Sequence, residues 1–309
     1  MTIPHRYVGC DICKHHLDLY DATAKRHWRI ANDAAAIKTL AAELAATGAF
    51  LIMEATGGYD RSLRHTLAAA GVGFRRINPM MARRFAEARG ARAKTDALDA
   101  RMLADFGTLF RPAADPAPDA KRETLTALAR RRDQLVAMRA AEKTRLKEAE
   151  DPAVKDSLLE MISLLDSRIR RLEQTIQARL KADADIAAQA RLLQTAPGIG
   201  PVAATILIAL MPELGRTSPK RIAALAGLAP YNRDSGRRQG SRACSGGRTR
   251  VRRALYMAAL AAARTSPRMQ RFYLRIVERT GAKKPALIAV ARKLLTCLNA
   301  MIRDQKAWT

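Results

Sequence analysis

An uninterrupted apolar run, FLIM at positions 50–53, ends at Glu54 and is followed by the glycine pair of ATGGY. Continuous apolar residues are typical of a strand that is buried on both faces, as in the middle of a sheet covered by helices. Glu54 then stands where the strand leaves the core. The run therefore favours a sheet with helices packed on it, with an acid at the end of a central strand.

Shorter segments predict the rest of this sheet. Alternating or apolar residues indicate four more strands. They lie at 7–12, at 17–21, at about 27–30 and at about 74–77. Helical spacing indicates helices over about 33–46, after the glycine pair, and over about 79–90 and 95–107. A meander followed by a β-α-β order predicts a mixed sheet in an α/β domain.

A charged helical stretch follows the proline-rich linker PAADPAP, which covers positions 112–118. Pro152 should divide the stretch of about 119–182 into two helices, because proline ends a helix. The second helix carries an apolar stripe with coiled-coil spacing: Leu158, Ile162, Leu165, Ile169, Leu172, Ile176 and Leu180. We predict an antiparallel helical hairpin. Its seam joins two copies of the chain or packs within one chain, and both alternatives stay open.

From about residue 184 the sequence predicts alanine- and leucine-rich helices with glycine and proline between them. In PGIGP, Gly198 and Gly200 precede a helix whose free backbone N–H groups could bind a phosphate, as in a helix-hairpin-helix. The alternative is a tight turn between two packed helices. The last predicted helix, about 283–303, has one apolar face, which we interpret as core.

The chain carries a large positive charge: 55 Lys and Arg stand against 29 Asp and Glu among 309 residues, a net charge of +26. Positions 231–253 alone hold eight Arg and one Asp. Such a density calls for a polyanion, and a nucleic-acid backbone is the simplest one. The arginines that we expect to contact phosphate are Arg233, Arg237, Arg238, Arg248 and Arg250. We find no membrane span and no signal peptide, so we expect a cytoplasmic protein.

The four cysteines are too few for a disulfide framework. Cys10 and Cys13 form a CxxC motif, with His15 and His16 close behind. A zinc site needs four ligands, and no second pair stands nearby. The motif also falls inside a predicted hairpin, unlike a thioredoxin-type redox pair. We interpret these residues as small side chains at a strand end and two surface histidines.

Four acids stand where a metal site would need them. Asp11 ends the first strand, Glu54 ends the apolar strand, and Asp96 and Asp99 share one face of a helix. Carboxylates brought together in this way form an all-oxygen cage suited to one or two Mg²⁺ ions. Ordinary helix capping by Asp96 and an ion pair of Asp99 with Arg92 or Arg101 are the alternatives.

Six motifs together resemble a known family: GCDI with LDLYD, MEATGGYDRSL, RAKTDALDARMLADF, PGIGPVAATILIAL, AGLAPYNRDSGRRQG and GGRTRVRRALYMAAL. In this order they are similar to the DEDD transposases of bacterial insertion sequences, also called bridge recombinases. The resemblance covers nearly the whole chain. It departs from many members after Asp11, where they have Ser-Lys and this chain has Ile12-Cys13-Lys14, and in SRACS at 241–245, which is less basic.

The resemblance implies an RNase H-like (RuvC-like) domain over 1–111, a linker and coiled-coil hairpin over 112–183, and a mainly α-helical transposase domain over 184–309. It implies that Asp11, Glu54, Asp96 and Asp99 bind Mg²⁺. It further implies that Ser235 attacks the DNA phosphodiester and forms a phosphoserine intermediate. The implied partners are donor and target DNA, a guide (bridge) RNA, and further copies of the chain as a dimer or tetramer. The implied location is the bacterial cytoplasm, at the nucleoid.

The residues around Ser235 leave other functions open. DSG is good turn sequence, and turn serines outnumber nucleophiles. Ser241 and Ser245 are rivals that lack the preceding proline turn. A metal-dependent nuclease or Holliday-junction resolvase would hydrolyse DNA with the four acids and use Ser235 only to bind phosphate. A nucleic-acid packaging protein would use only the positive charge. The four acids at strand ends and at the start of a helix argue against this function.

Overall fold

The structure, a computed structural model, describes residues 6–55, 57–90, 95–231 and 243–309. The chain divides into two compact units, one up to Asp119 and one from Ala120 onward. We call them the N-terminal and the C-terminal unit. The three-part division at 111 and 183 stays a prediction.

A mixed five-stranded sheet forms the centre of the N-terminal unit, as predicted. Its strands are β1 (Tyr7–Ile12), β2 (His16–Asp21), β3 (Arg26–Ala31), β4 (Phe50–Glu54) and β5 (Phe74–Ile77). They lie in the order β3-β2-β1-β4-β5. The first three form an antiparallel meander, whereas β4 runs parallel to both β1 and β5.

Strand β4 has both faces covered, which confirms the prediction from its apolar run. Leu51 and Met53 pack into one core with β1, β2 and the first helices. Phe50 and Ile52 pack into a second core on the opposite face. All four are at most 4% exposed.

Four helices cover this sheet: α1 (Ala34–Thr47), α2 (Arg61–Ala69), α3 (Pro79–Ala88) and α4 (Asp96–Phe110). Helix α4 lies directly against β1, because Gly9 has no side chain to hold it away. A Cβ added at Gly9 would lie 2.5 Å from the backbone nitrogen of Ala104 and closer still to the carbonyl oxygen of Ala100. No larger residue fits this crossing without moving the helix.

The described part of the C-terminal unit consists of helices and one short two-stranded ribbon, joined by turns and loops. Its helices are α5 (Ala120–Glu148), α6 (Pro152–Lys181), α7 (Ala184–Gln194), α8 (Pro201–Leu210), α9 (Pro219–Leu225), α10 (Thr249–Thr265), α11 (Pro267–Thr280) and α12 (Lys283–Asp304). The ribbon pairs β6 (Pro230–Tyr231) with β7 (Ala243–Cys244). An α/β unit followed by a helical unit agrees with the predicted fold class.

Helices α5 and α6 form the predicted antiparallel hairpin, and α6 begins at Pro152 as expected. Arg132 pairs with Glu173 at 2.6 Å, and farther along Arg139 pairs with Asp166. The apolar stripe of α6 packs against residues of the same chain. Its buried members are Ile162, Leu165, Ile169, Ile176 and Leu180. The stripe itself is therefore no evidence for a dimer.

Helix α12 is the one described helix whose length and composition together would allow it to cross a membrane. However, 56% of its apolar window is buried inside the unit, where Val290, Leu294 and Leu298 belong to the main core. The predicted core role of this helix is confirmed.

Candidate active site

Two of the predicted acids lie at the ends of neighbouring parallel strands. The register of β1 on β4 pairs Cys10 with Met53, so the next residues, Asp11 and Glu54, stand side by side. Both strands point the same way, and both side chains are half-buried at one edge of the sheet. The sheet therefore brings together two carboxylates that are 43 positions apart in sequence.

The other two acids come from the first turn of α4. Thr95 caps this helix, since its side chain accepts a hydrogen bond from the backbone N–H of Leu98. Asp96 and Asp99 follow at a three-residue spacing, where the helix dipole stabilises negative charge. The capping role considered for Asp96 thus belongs to Thr95, and Arg101 lies over the ring of Tyr20.

The other three acids act on the pKa of Asp11. Burial, together with the neighbouring charges of Asp99, Asp96 and Glu54, raises this pKa from 3.8 to about 6. Only acids within a short distance of one another influence each other in this way. We call Asp11, Glu54, Asp96 and Asp99 the acid cluster; the like charges of the other three act on Asp11, and a bound cation would relieve that repulsion.

Asp18 is a further acid beside this cluster, and the sequence analysis missed it. It lies opposite Asp11 in the register of β1 and β2 and is 1% exposed. Arg29 Nε donates a hydrogen bond to Asp18 Oδ1 at 3.0 Å, and His27 Nε2 lies 3.3 Å from the same oxygen. The signal in the sequence was one acid between Leu17 and Leu19 in a buried strand.

The residues of the CxxC motif separate in the structure. Cys10 is buried in the sheet, whereas Cys13 lies in the β1–β2 turn and His15 is exposed. His16 is not a surface histidine as predicted: it begins β2, is half-buried, and has Nε2 at 3.5 Å from Asp96 Oδ2. Burial, together with the charges of Asp11, Asp96 and Asp18, raises the pKa of the Cys13 thiol.

Most of the predicted phosphate-binding loop lies outside the described residues. This holds for Ser235, Ser241, Arg233, Arg237 and Arg238. Two other arginines of the same prediction are described, and both have carboxylate partners.

Arg248 forms a bidentate ion pair with Glu213, with both N–O distances at 2.6 Å. This pairing lowers the pKa of the Glu213 carboxyl against the effect of its burial. Arg250 Nε donates to Asp133 Oδ2 at 2.8 Å. Their charges are thus partly neutralised inside the unit, and a phosphate contact by either stays a prediction.

The PGIGP turn joins α7 to α8, as expected. Gly198 has φ of +77°, and a Cβ there would collide with the carbonyl oxygen of Ala258. It therefore serves close helix packing, in line with the alternative considered from the sequence. Gly200, by contrast, caps α8 with open space around its Cα, so a phosphate contact at Gly200 stays a prediction.

Helix α11 carries an exposed arginine stripe that sequence reasoning also missed. Arg268, Arg271, Arg275 and Arg279 follow one another at spacings of three or four and are all exposed. None of them forms an ion pair within the described part of the chain. Arg268 lies 5.6 Å from the ring of Trp308, which holds it in place. The helical spacing of the arginines was the available signal.

Comparison with known proteins agrees with this arrangement. A model described as the transposase IS116/IS110/IS902 family matches residues 190–274, and a second transposase model, of the DEDD type of IS110, matches residues 8–149. A pilin gene-inverting protein of Moraxella bovis is 32% identical over 261 residues, which cover 83% of this chain and 80% of the relative. The chain belongs to the IS110/IS116 family of transposases.

Other relatives of this transposase come from insertion elements. A protein of element IS116 from Streptomyces clavuligerus is 31% identical over 67% of this chain and 53% of its own length. A protein of element IS900 from Mycobacterium paratuberculosis is 33% identical over 49% of this chain and 38% of its own length. Family membership makes DNA the substrate and DNA recombination the process.

The raised pKa of Asp11 predicts that this acid lowers the stability of the fold as the pH rises, the reverse of the usual effect of an acid in a folded protein. The fold holds this proton more tightly than the unfolded chain, so the carboxyl contributes stability that is present below pH 3.8 and lost as the pH rises through about 6. In an Asp11→Asn variant, the side chain at position 11 stays uncharged at every pH. In chelator, we expect the variant to resist urea better than the wild type at about pH 8 and equally well below about pH 4.

Glu43→Gln is the matched control, because Glu43 is an exposed acid on α1 of the same unit. It should show no such pH-dependent gain. A destabilised Asp11→Asn variant at about pH 8 would contradict the assignment of Asp11 to a repulsive cluster.

Proposed function

We propose that this transposase cuts and rejoins DNA with Ser235 as the nucleophile and a divalent metal ion, Mg²⁺, bound by Asp11, Glu54, Asp96 and Asp99. The observation that supports the proposal is that Asp11 and Glu54 end neighbouring parallel strands, and that the charges of Asp99, Asp96 and Glu54 raise the pKa of Asp11. Hard carboxylate oxygens are the donors that Mg²⁺ prefers. We also propose an RNase H-like fold, which the sheet order and the acids at its edge support.

In this proposal each group has a defined chemical task. The Ser235 hydroxyl attacks the phosphorus of a DNA strand, a P–O bond to the serine forms, and the bond to the bridging oxygen breaks. The serine proton leaves, and the departing DNA oxygen takes up a proton. A strand hydroxyl later attacks the phosphoserine and restores the free serine. When bound, the metal ion neutralises charge that builds up on the phosphate. The four acids hold it in place.

A second function uses the same acid cluster differently. A metal-dependent nuclease or junction resolvase would activate water there and hydrolyse DNA, with no covalent intermediate. The specific observation in its favour is that the acid cluster lies wholly in the N-terminal unit and is assembled from β1, β4 and α4 alone. The serine reaction remains our proposal, because the family resemblance extends through the DSG motif around Ser235.

The proposal includes several partners. Donor and target DNA follow from the family, whereas a guide RNA and a dimer or tetramer are proposals. Exposed apolar side chains near the hairpin tip support self-association: Met138, Val154, Leu159, Met161 and Leu164. The Moraxella relative is named for inverting a pilin gene, which supports recombination within one DNA molecule as a related outcome. The location at the nucleoid stays a prediction.

Ser235→Ala should abolish the covalent protein–DNA adduct, because the attacking oxygen is gone. DNA binding should stay near the wild-type level, since one hydroxyl adds little to a surface dominated by charge. The measurement is a denaturing gel of labelled DNA after reaction with Mg²⁺. We expect chelator to remove the wild-type adduct as well.

Ser241→Ala and Ser245→Ala are the matched controls and should keep the adduct. An adduct that survives Ser235→Ala but disappears in one of the controls would move the nucleophile to that serine. Cleavage by the wild type without any adduct would favour the hydrolytic nuclease instead.

We further propose that the α11 arginine stripe binds the backbone of duplex DNA. The twelve positions from Arg268 to Arg279 span about 16 Å of helix, enough to follow two or three phosphates of a strand. Phosphate contacts of this kind position a protein on DNA without reading its sequence. The exposure of the four arginines and their lack of ion pairs among the described residues support this role.

The double change Arg271→Gln and Arg275→Gln should weaken DNA binding and flatten its salt dependence. Each lost contact lowers the slope of log affinity against log salt by about 0.9. The control is Arg170→Gln with Arg171→Gln, two exposed arginines on α6 that remove the same charge. An unchanged slope, or an equal loss in the control, would assign the effect to net charge instead of the stripe.

A further inference from the structure

Three potential metal ligands meet beside the acid cluster. They are the thiol of Cys13 in the β1–β2 turn, the imidazole of His16 at the start of β2, and the carboxylate of Asp96 at the start of α4. Their ligand atoms all lie within 4.8 Å of one another. The acid cluster as described has no role for the sulfur or the imidazole.

A fourth potential ligand, the carboxylate of Asp18, lies beside His16, although it is not part of the group of three. Asp18 Oδ2 lies 3.3 Å from His16 Nε2, and Asp96 Oδ2 lies 3.5 Å from it. Neither His16 Nε2 nor Asp18 Oδ2 makes a hydrogen bond to any described atom, although both atoms are buried. Asp18 as a whole is 1% exposed. Burying a carboxylate oxygen and a ring nitrogen without a hydrogen bond is costly, and an ion between them would satisfy both.

The spacing of these atoms fits a common metal ion. A tetrahedral ion with bonds of about 2.0–2.1 Å to nitrogen and oxygen holds its ligand atoms about 3.3 Å apart. The two distances from His16 Nε2 are 3.3 and 3.5 Å. Each of these two distances is therefore compatible with one ion held between the ring nitrogen and a carboxylate oxygen.

The kind of donor and the local charge indicate which ion. A thiolate and an imidazole with two carboxylates suit Zn²⁺, whereas Mg²⁺ avoids sulfur. Arg29 contacts both acids, with Nε at 3.0 Å from Asp18 Oδ1 and Nη2 at 3.5 Å from Asp96 Oδ2. The thiolate and two carboxylates carry three negative charges, and Arg29 with one divalent ion carries three positive charges. The set is thus electrically balanced.

We propose that Cys13, His16, Asp18 and Asp96 form a second metal site, for Zn²⁺ or a similar thiolate-binding divalent ion. Arg29 and His27 contact the other oxygen of Asp18 and orient it. Asp96 belongs to both sites, so an ion here would fix the start of α4 next to the acid cluster. The proposal goes beyond the proposed function and needs neither Ser235 nor a Mg²⁺-dependent reaction.

Co²⁺ added to the metal-free full chain tests the site, because cobalt reports thiolate ligation by a charge-transfer absorption band. The band should appear with one equivalent of Co²⁺ and vanish on addition of Zn²⁺. Cys13→Ser should remove the band, and His16→Ala should weaken Co²⁺ binding at least about tenfold. Cys244→Ser and His15→Ala, a half-buried cysteine elsewhere and the adjacent exposed histidine, should keep it.

Alkylation of Cys13 gives a second measurement that needs no variant of the site. Zn²⁺ should slow the modification of this thiol by iodoacetamide, followed by mass spectrometry, and Mg²⁺ should not. His16→Ala should lose the Zn²⁺ protection. A wild-type chain with no thiolate–cobalt band, or with Cys13 alkylated equally fast with and without Zn²⁺, would overturn the proposal. These readouts involve no DNA, so their failure would leave the proposed recombination untouched.

Discussion

The crossing of α4 over β1 at Gly9 is the contact on which the site depends. The missing side chain lets the backbone of Ala100 and Ala104 come down onto the strand. Asp96 stands one turn before Ala100 and Asp99 directly before it, so the same crossing carries both toward Asp11 at the end of β1. A helix held farther away would leave the strand acids and the helix acids as two separate groups.

Bringing these acids close to Asp11 lowers the stability of the fold, and the helix dipole and a neighbouring arginine limit that loss. Asp11 is half-buried, and its burial together with the charges of Asp99, Asp96 and Glu54 raises its pKa to about 6. The dipole of α4 favours Asp96 and Asp99 at its first turn, and Arg29 contacts both Asp18 and Asp96. In the C-terminal unit, Glu213 and Asp133 each form an ion pair with an arginine. None of the described acids of that unit belongs to the metal-ligand group beside Asp96. Among the described residues, the group that could hold a metal ion lies in the N-terminal unit.

Local patterns predicted the fold well, and non-local packing decided what they missed. The apolar run before Glu54, the start of α6 at Pro152 and the three-residue spacing of Asp96 and Asp99 all follow from neighbouring residues. The close contact at Gly9 and the meeting of His16 with Asp96 join positions about eighty or more apart, which no periodicity reveals. The pairing of Arg248 with Glu213 shows the same limit, because charge density alone does not tell which arginines already have partners.

Binding of Mn²⁺, an oxygen-preferring substitute for Mg²⁺, tests the shared metal site most directly. Paramagnetic resonance of free Mn²⁺ would give the affinity of the wild type and of Asp11→Asn, Glu54→Gln, Asp96→Asn and Asp99→Asn. Our account predicts that each of the four changes weakens binding about tenfold or more. Glu43→Gln should bind as the wild type does. Wild-type affinity in any of the four variants would remove that acid from the site and contradict a single cluster of four.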